Sequence, residues 1–171
     1  MKRFVPFASL VTALWLVCAL AGCAEVARQS VPASVPPATC AASDQDQYVY
    51  DPRRLQVVQS CIHVTGIVEA VEIEPDGDAN LFLRPDPPYR DLLTPASIQY
   101  EQGNLVIEPV CVGQPVQSNV MLLCAGDPDP FTGPFPAAGA HVWMEGRYVL
   151  DLHHEGHAEL HPLYRMGTLS Q

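Results

Sequence analysis

His141-Val142-Trp143-Met144-Glu145-Gly146-Arg147-Tyr148-Val149-Leu150-Asp151-Leu152-His153-His154-Glu155-Gly156-His157-Ala158-Glu159-Leu160-His161-Pro162 reads as two strands around a polar turn. His141 to Leu150 is the first of them, and the glycine inside it marks a bulge or a sharp bend. Ala158 to Leu163 is the return strand. Glu159 and His161 stand two apart on it, so their side chains share a face. The stretch also carries five of the chain's six histidines.

Three further strands lie upstream. Asn104 to Cys111 is an apolar run, and the segment from Gly126 to Gly139, with four prolines and three glycines, is a loop. Pro115 to Leu123 is the only helix candidate between that strand and the next, and Tyr89 to Leu93 has room for one helical turn. Asn80 to Arg84 is a short strand. It follows Glu74-Pro75-Asp76-Gly77-Asp78, whose Asp-Gly pair supplies tight turn geometry. Cys61 to Ile73 is the first strand, again with an internal glycine at Gly66. Five short strands, two of them bent by glycine, and a long connection between the third and fourth predict an all-β domain. The expected form is a small five-stranded OB-like barrel over residues 48–171, with a β-sandwich as the alternative.

The N-terminus carries an address. Met1-Lys2-Arg3 and the apolar run Phe4 to Leu20 describe a secretory signal, slightly short for a membrane-spanning helix. It ends in Leu20-Ala21-Gly22-Cys23, which resembles the lipobox of bacterial lipoproteins. The resemblance implies cleavage after residue 22, acylation of Cys23 and, with Ala24 following, a place in the outer membrane facing the periplasm. Several acyl chains give lasting anchorage where one would be marginal. Residues 23–47, with Pro32, Pro36 and Pro37 among Ala, Ser and Thr, read as a disordered tether.

Composition bounds the partners. Loss of Lys2 and Arg3 with the signal takes the formal charge from -10 to -12. Nucleic-acid affinity rests on cations that neutralise phosphate, so nucleic acid is not an expected partner. About 150 residues suffice for one domain with a real core. Beyond the acylated Cys23, Cys40, Cys61, Cys111 and Cys124 form an even set in an oxidising compartment, where disulfides persist. Four cysteines allow three connectivities. The expected pairs are Cys111–Cys124 and Cys40–Cys61. A zinc site built on them is the rival, but no Cys-x-x-Cys pair is present.

Four short motifs carry a family likeness: Cys61-x-x-Val64-x-Gly66-x-Val68, Asp76-Gly77-Asp78, Gly146-x-Tyr148-Val149-x-Asp151 and Glu159-Leu160-His161-Pro162. From about Leu55 to Leu163 the chain resembles a family of small secreted bacterial and archaeal OB-like domains. The last strand of that family usually reads Glu-Ile-His-Pro. The resemblance implies the barrel and carries over no function. Where the family has a His-Gly-Trp turn, this chain has His154-Glu155-Gly156-His157.

In an OB barrel the loops joining strands one to two and four to five flank the binding face. Glu74, Asp76 and Asp78 would then meet Asp151, His153, His154, Glu155 and His157 at one rim. With the Glu159–His161 pair on the following strand they offer donors suited to Zn²⁺ or another divalent ion, Asp76, Asp78, His154, His157, Glu159 and His161 being the candidates. Each has a plainer reading. Asp-Gly-Asp is ordinary turn chemistry, loop histidines are commonly solvated, and Glu159–His161 can be a structural pair. His63 and His141 read as half-buried strand residues. His153 and His157 have zincin spacing, but His154 stands where that motif needs Glu, and no nucleophile elbow or phosphate loop occurs. The reading therefore favours a non-enzymatic, lipid-anchored binding or envelope-structural module whose partner is an envelope protein, a peptide or a glycan. Such a module would need no metal and would present a rim of aromatic and polar residues such as Tyr89, Trp143 and Tyr148. A divalent-metal-binding protein or metal-dependent hydrolase using the 153–161 turn is the alternative.

Overall fold

The computed structural model of the chain describes residues 44–126 and 134–170. The expected signal, Cys23, Cys40, most of the tether and part of the Gly126–Gly139 loop lie outside the described residues. The described chain is all-β: β1 (Leu55–Ile73), β2 (Ala79–Pro85), β3 (Leu105–Ile107), β4 (His141–Asp151) and β5 (His157–Thr168), with one short helix, α1 (Pro95–Tyr100). β1 pairs antiparallel with β2 and with β4, β2 with β3, and β4 with β5, while β3 and β5 run parallel. The order β1-β2-β3-β5-β4 returns to β1, so the single sheet closes on itself as a barrel. Among these residues no helix is long and apolar enough to cross a membrane.

Alternation along the strands sorts the side chains into the barrel or out of it. Val64, Val68, Leu81, Leu83, Leu105, Ile107, Met144, Leu160 and Leu163 meet inside, each fully buried. Burial of each stabilises the fold by about 1.5–3 kcal/mol relative to exposure. A barrel this small brings backbones close where strands bend. A Cβ on Gly66 would lie 2.4 Å from the Arg84 carbonyl oxygen, and one on Gly146 would lie 2.8 Å from that of Pro162. We expect Gly66→Ala to lower stability in urea unfolding by about 1–3 kcal/mol, the cost of overpacking. An unchanged midpoint would contradict the close approach.

Several expected boundaries move. β1 begins at Leu55 instead of Cys61, and β5 runs on to Thr168. β3 keeps only three residues of the expected Asn104–Cys111 run, because the backbone leaves the ladder at Glu108 and Cys111 turns to φ 56°. The helix candidate Pro115–Leu123 forms turns ending in a 3-10 turn at Cys124–Gly126. The helical turn expected at Tyr89–Leu93 is a 3-10 helix over Pro87–Leu92, and α1 follows it. Asp44 to Gln47, assigned to the tether, lie in a 3-10 helix (Asp44–Tyr48) held to β5 by the Tyr164 hydroxyl, which donates to Asp46 at 2.8 Å. The disulfide Cys111–Cys124 is present. Cys61 is disulfide-bonded as well, its expected partner Cys40 being outside the described residues.

Candidate functional site

Glu159 and His161 face outward from β5, opposite the core residues Ala158 and Leu160, yet both are fully buried. The chain beyond β3 covers them. Glu108 donates its N–H to the Leu160 carbonyl and accepts from the Leu163 N–H, both at 2.9 Å, so its side chain is carried over β5. On the other side α1 acts as a clamp. Thr94 and Ser97 form a capping box, the Thr94 hydroxyl donates to the Gly156 carbonyl at 3.0 Å, and Ser97 Oγ accepts from the Ala158 N–H at 2.9 Å. The β4–β5 turn is thereby fixed against the helix, and Glu101 at the helix end reaches His157.

The buried groups form one chain of contacts. His157 donates from Nδ1 to Glu101 (2.9 Å) and from Nε2 to Glu159 Oε1 (2.5 Å). His161 Nδ1 is shared between Glu159 Oε2 at 3.1 Å and Glu108 Oε2 at 2.5 Å. Arg54, just before β1, lies 3.7 Å from Glu108 and pairs closely with Asp151 at the end of β4. Asp151 accepts from His154 Nδ1 at 2.7 Å, and the His154 ring stacks on His157 with centroids 5.3 Å apart. Both nitrogens of His157 meet carboxylates, which only accept, so the ring is held as imidazolium.

The electrostatics agree with that geometry. Burial alone would lower His161, but Glu108 and Glu159 raise it to about 10. Burial would likewise lower His157, and its bonds to Glu159 and Glu101 outweigh this and raise it. Burial would raise Glu159, but the hydrogen bonds from His157 and His161 hold it at about 2. Asp78 is the contrary case: burial pushes it up to about 7, against the Cys111 N–H that it accepts at 2.6 Å.

The β1–β2 turn reaches the same place. A cavity of about 330 Å³ is walled by Glu74, Asp76 and Asp78 from that turn, by His154 and His157 from the β4–β5 turn, and by Arg54, Glu101 and Glu108. Of the candidates named from sequence, Asp78 comes together with His161 and Glu108, and His154, His157 and Glu159 come together with Asp151. Within each group one potential ligand atom per residue lies within 4.8 Å of the others. Asp76 lines the cavity while its Oδ1 accepts from the Asp78 N–H at 3.1 Å, as a turn aspartate does. His153 is exposed and contributes only its backbone N–H, to Asp151.

Sequence reasoning missed Arg54, Glu101 and Glu108. No motif surrounds Arg54 or Glu108. Glu101 was within reach of the capping signature Thr94-Pro95-Ala96-Ser97, which announces a helix ending near it. The expected aromatic rim does not assemble. Tyr148 is buried with its hydroxyl donating to the Leu92 carbonyl at 2.6 Å, Tyr89 packs on the core, and Trp143 stacks on His63 beneath Arg165. Phe82 is the aromatic in the cavity wall. His63 and His141 are half-buried as expected, the first 3.4 Å from Glu145 and the second 2.8 Å from Asp86.

The arrangement can hold positive charge. Five carboxylates face the cavity against one guanidinium and two imidazoles, and its described lining contains no serine, threonine or cysteine to serve as a nucleophile. No family model, no curated protein and no solved structure matches this chain.

Proposed function

We propose that this chain is a non-enzymatic binding domain of the OB type, anchored at a bacterial envelope through acylated Cys23 and engaging a cationic partner at its acidic rim. The observation that carries the reading is the shared cavity of the β1–β2 and β4–β5 turns, the two loops that flank the ligand face of OB barrels. The five-strand order and the motifs of the resembled family support the same assignment. A second cavity of about 520 Å³, lined by Glu69, Glu72, Phe82 and Arg84, shares the Phe82 wall and extends the polar surface along β1 and β2. A lysine- or arginine-bearing segment of an envelope protein fits this charge, and a polyanion does not.

An oligolysine peptide titrated into the isotope-labelled protein should shift the amides of Asn80, Phe82, Val106 and His154 first. Neutralising Glu74 and Asp76 as Gln and Asn should weaken that binding about two- to fivefold per charge. Shifts confined to other faces would sink the assignment of the rim. For the anchor, the Cys23→Ser chain should leave the washed membrane pellet for the soluble fraction, and its persistence in the pellet would refute the lipid attachment.

A further inference from the structure

We propose that Asp151, His154, His157 and Glu159 form a site for one divalent transition-metal ion, with Zn²⁺ the best match to the donors. The inference concerns the same rim as the binding reading but does not depend on it. A failed peptide titration leaves metal binding untouched, and the converse also holds.

The donor set comes first. One atom from each of the four residues lies within 4.8 Å of the others, and Asp151, His157 and Glu159 are buried. Two imidazoles with two carboxylates suit zinc, whereas calcium and magnesium favour oxygen alone. The scaffold is rigid. His157 and Glu159 project from one face of β5, and Asp151 closes β4 and caps the single 3-10 turn, Leu152–His154, that delivers His154.

The outer partners are a separate observation. A ligating histidine characteristically gives its other N–H to a carboxylate, and ligating carboxylates are themselves hydrogen-bonded from behind. Here Glu101 takes the Nδ1 proton of His157 at 2.9 Å, which leaves Nε2 on the side of Glu159. His161 holds the far oxygen of Glu159 at 3.1 Å, and the His153 N–H and Arg54 hold Asp151. An ion would replace the proton shared by His157 Nε2 and Glu159 Oε1, while these outer contacts stay in place. The acidic cavity beside His154 and His157 gives it an entry route. Four protein donors complete a tetrahedral shell, so the site is of the closed, structural kind and leaves no position for a hydrolytic water.

The test uses the full-length chain without affinity histidines, extracted in detergent without chelator. Elemental analysis should find about one zinc per chain. After chelator treatment, Co²⁺ should bind stoichiometrically and give the visible d–d bands of a tetrahedral site, and Zn²⁺ should raise the melting temperature. His154 is exposed, so His154→Ala keeps the fold and should abolish the cobalt bands. Glu101→Gln should keep them with about 10–100-fold weaker affinity, as expected for an outer partner. Folded, chelator-treated protein that neither gains stability from Zn²⁺ nor develops cobalt bands would overturn the site. So would a His154→Ala chain with unchanged bands.

Discussion

His161→Leu is expected to cost the chelator-treated protein about 3–5 kcal/mol of folding stability in urea, the penalty for removing one member of a buried charge pair. His161 is wholly buried, and its Nδ1 serves Glu108 and Glu159 at once. Without it Glu108 keeps only Arg54 at 3.7 Å, and Glu159 keeps only His157. The desolvated carboxylates carry the cost, more than any lost contact. That distinction can be measured, because replacing both partners with apolar residues is often close to neutral where removing one is not. The double variant His161→Leu/Glu108→Leu should therefore recover most of the loss, a clear departure from additivity. A His161→Leu cost below about 1 kcal/mol, or simple additivity in the pair, would show that the network does not hold charge in the folded protein.

How far the sequence carried can be judged on particular residues. Gly66, Gly146 and the alternation on either side of the 151–157 turn are enough to place the strands, because a glycine at a bend and a period of two leave a local signature. Placing two loops on one rim of a barrel puts Asp78 beside His154 and His157, which wall one cavity, and the period of two puts Glu159 and His161 on one face. The approach of Asp78 to His161 follows from neither. Arg54 and Glu108 were not legible. Their roles come from the register Leu55↔Asp151 and from the backbone leaving β3 at Glu108, and both are set by long-range pairing. The aromatic expectation fails for a nearer reason. Tyr148 shares the inward face of β4 with Val142 and Met144, so the period of two places it inside, where its hydroxyl donates to the Leu92 carbonyl, 56 positions away. Burial of Glu159 was invisible in a strand where its neighbours alternate, since the cover belongs to α1 and to the chain after β3.

The pH dependence of stability tests the whole network, and its sign follows from four groups. His161, raised from 6.5 to about 10, contributes stability that is complete below pH 6.5 and is lost as pH rises through 10. His157, also raised, acts in the same direction above its ordinary range. Asp78, raised from 3.8 to about 7, keeps a proton that the unfolded chain gives up, so its contribution falls between pH 3.8 and 7. Glu159 alone opposes them: lowered from 4.5 to about 2, it contributes fully above pH 4.5 and loses that contribution as pH falls through 2. The optimum should therefore lie in acid, near pH 4, where the gain from Glu159 and the loss from Asp78 balance, with a long decline on the alkaline side. A tenfold difference in proton affinity between folded and unfolded chain is worth about 1.4 kcal/mol, so the decline to pH 10 should reach several kcal/mol. Urea midpoints of the chelator-treated protein, taken at half-unit intervals of pH, would show it. Asp78→Asn should flatten the curve between pH 4 and 7, and His161→Leu should flatten it above 6.5, so each limb has its own control. A midpoint that stays level or rises from pH 6.5 to 9 would mean that His161 is not a buried cation, and the chain of charges from Glu101 to Asp151 would lose its central link.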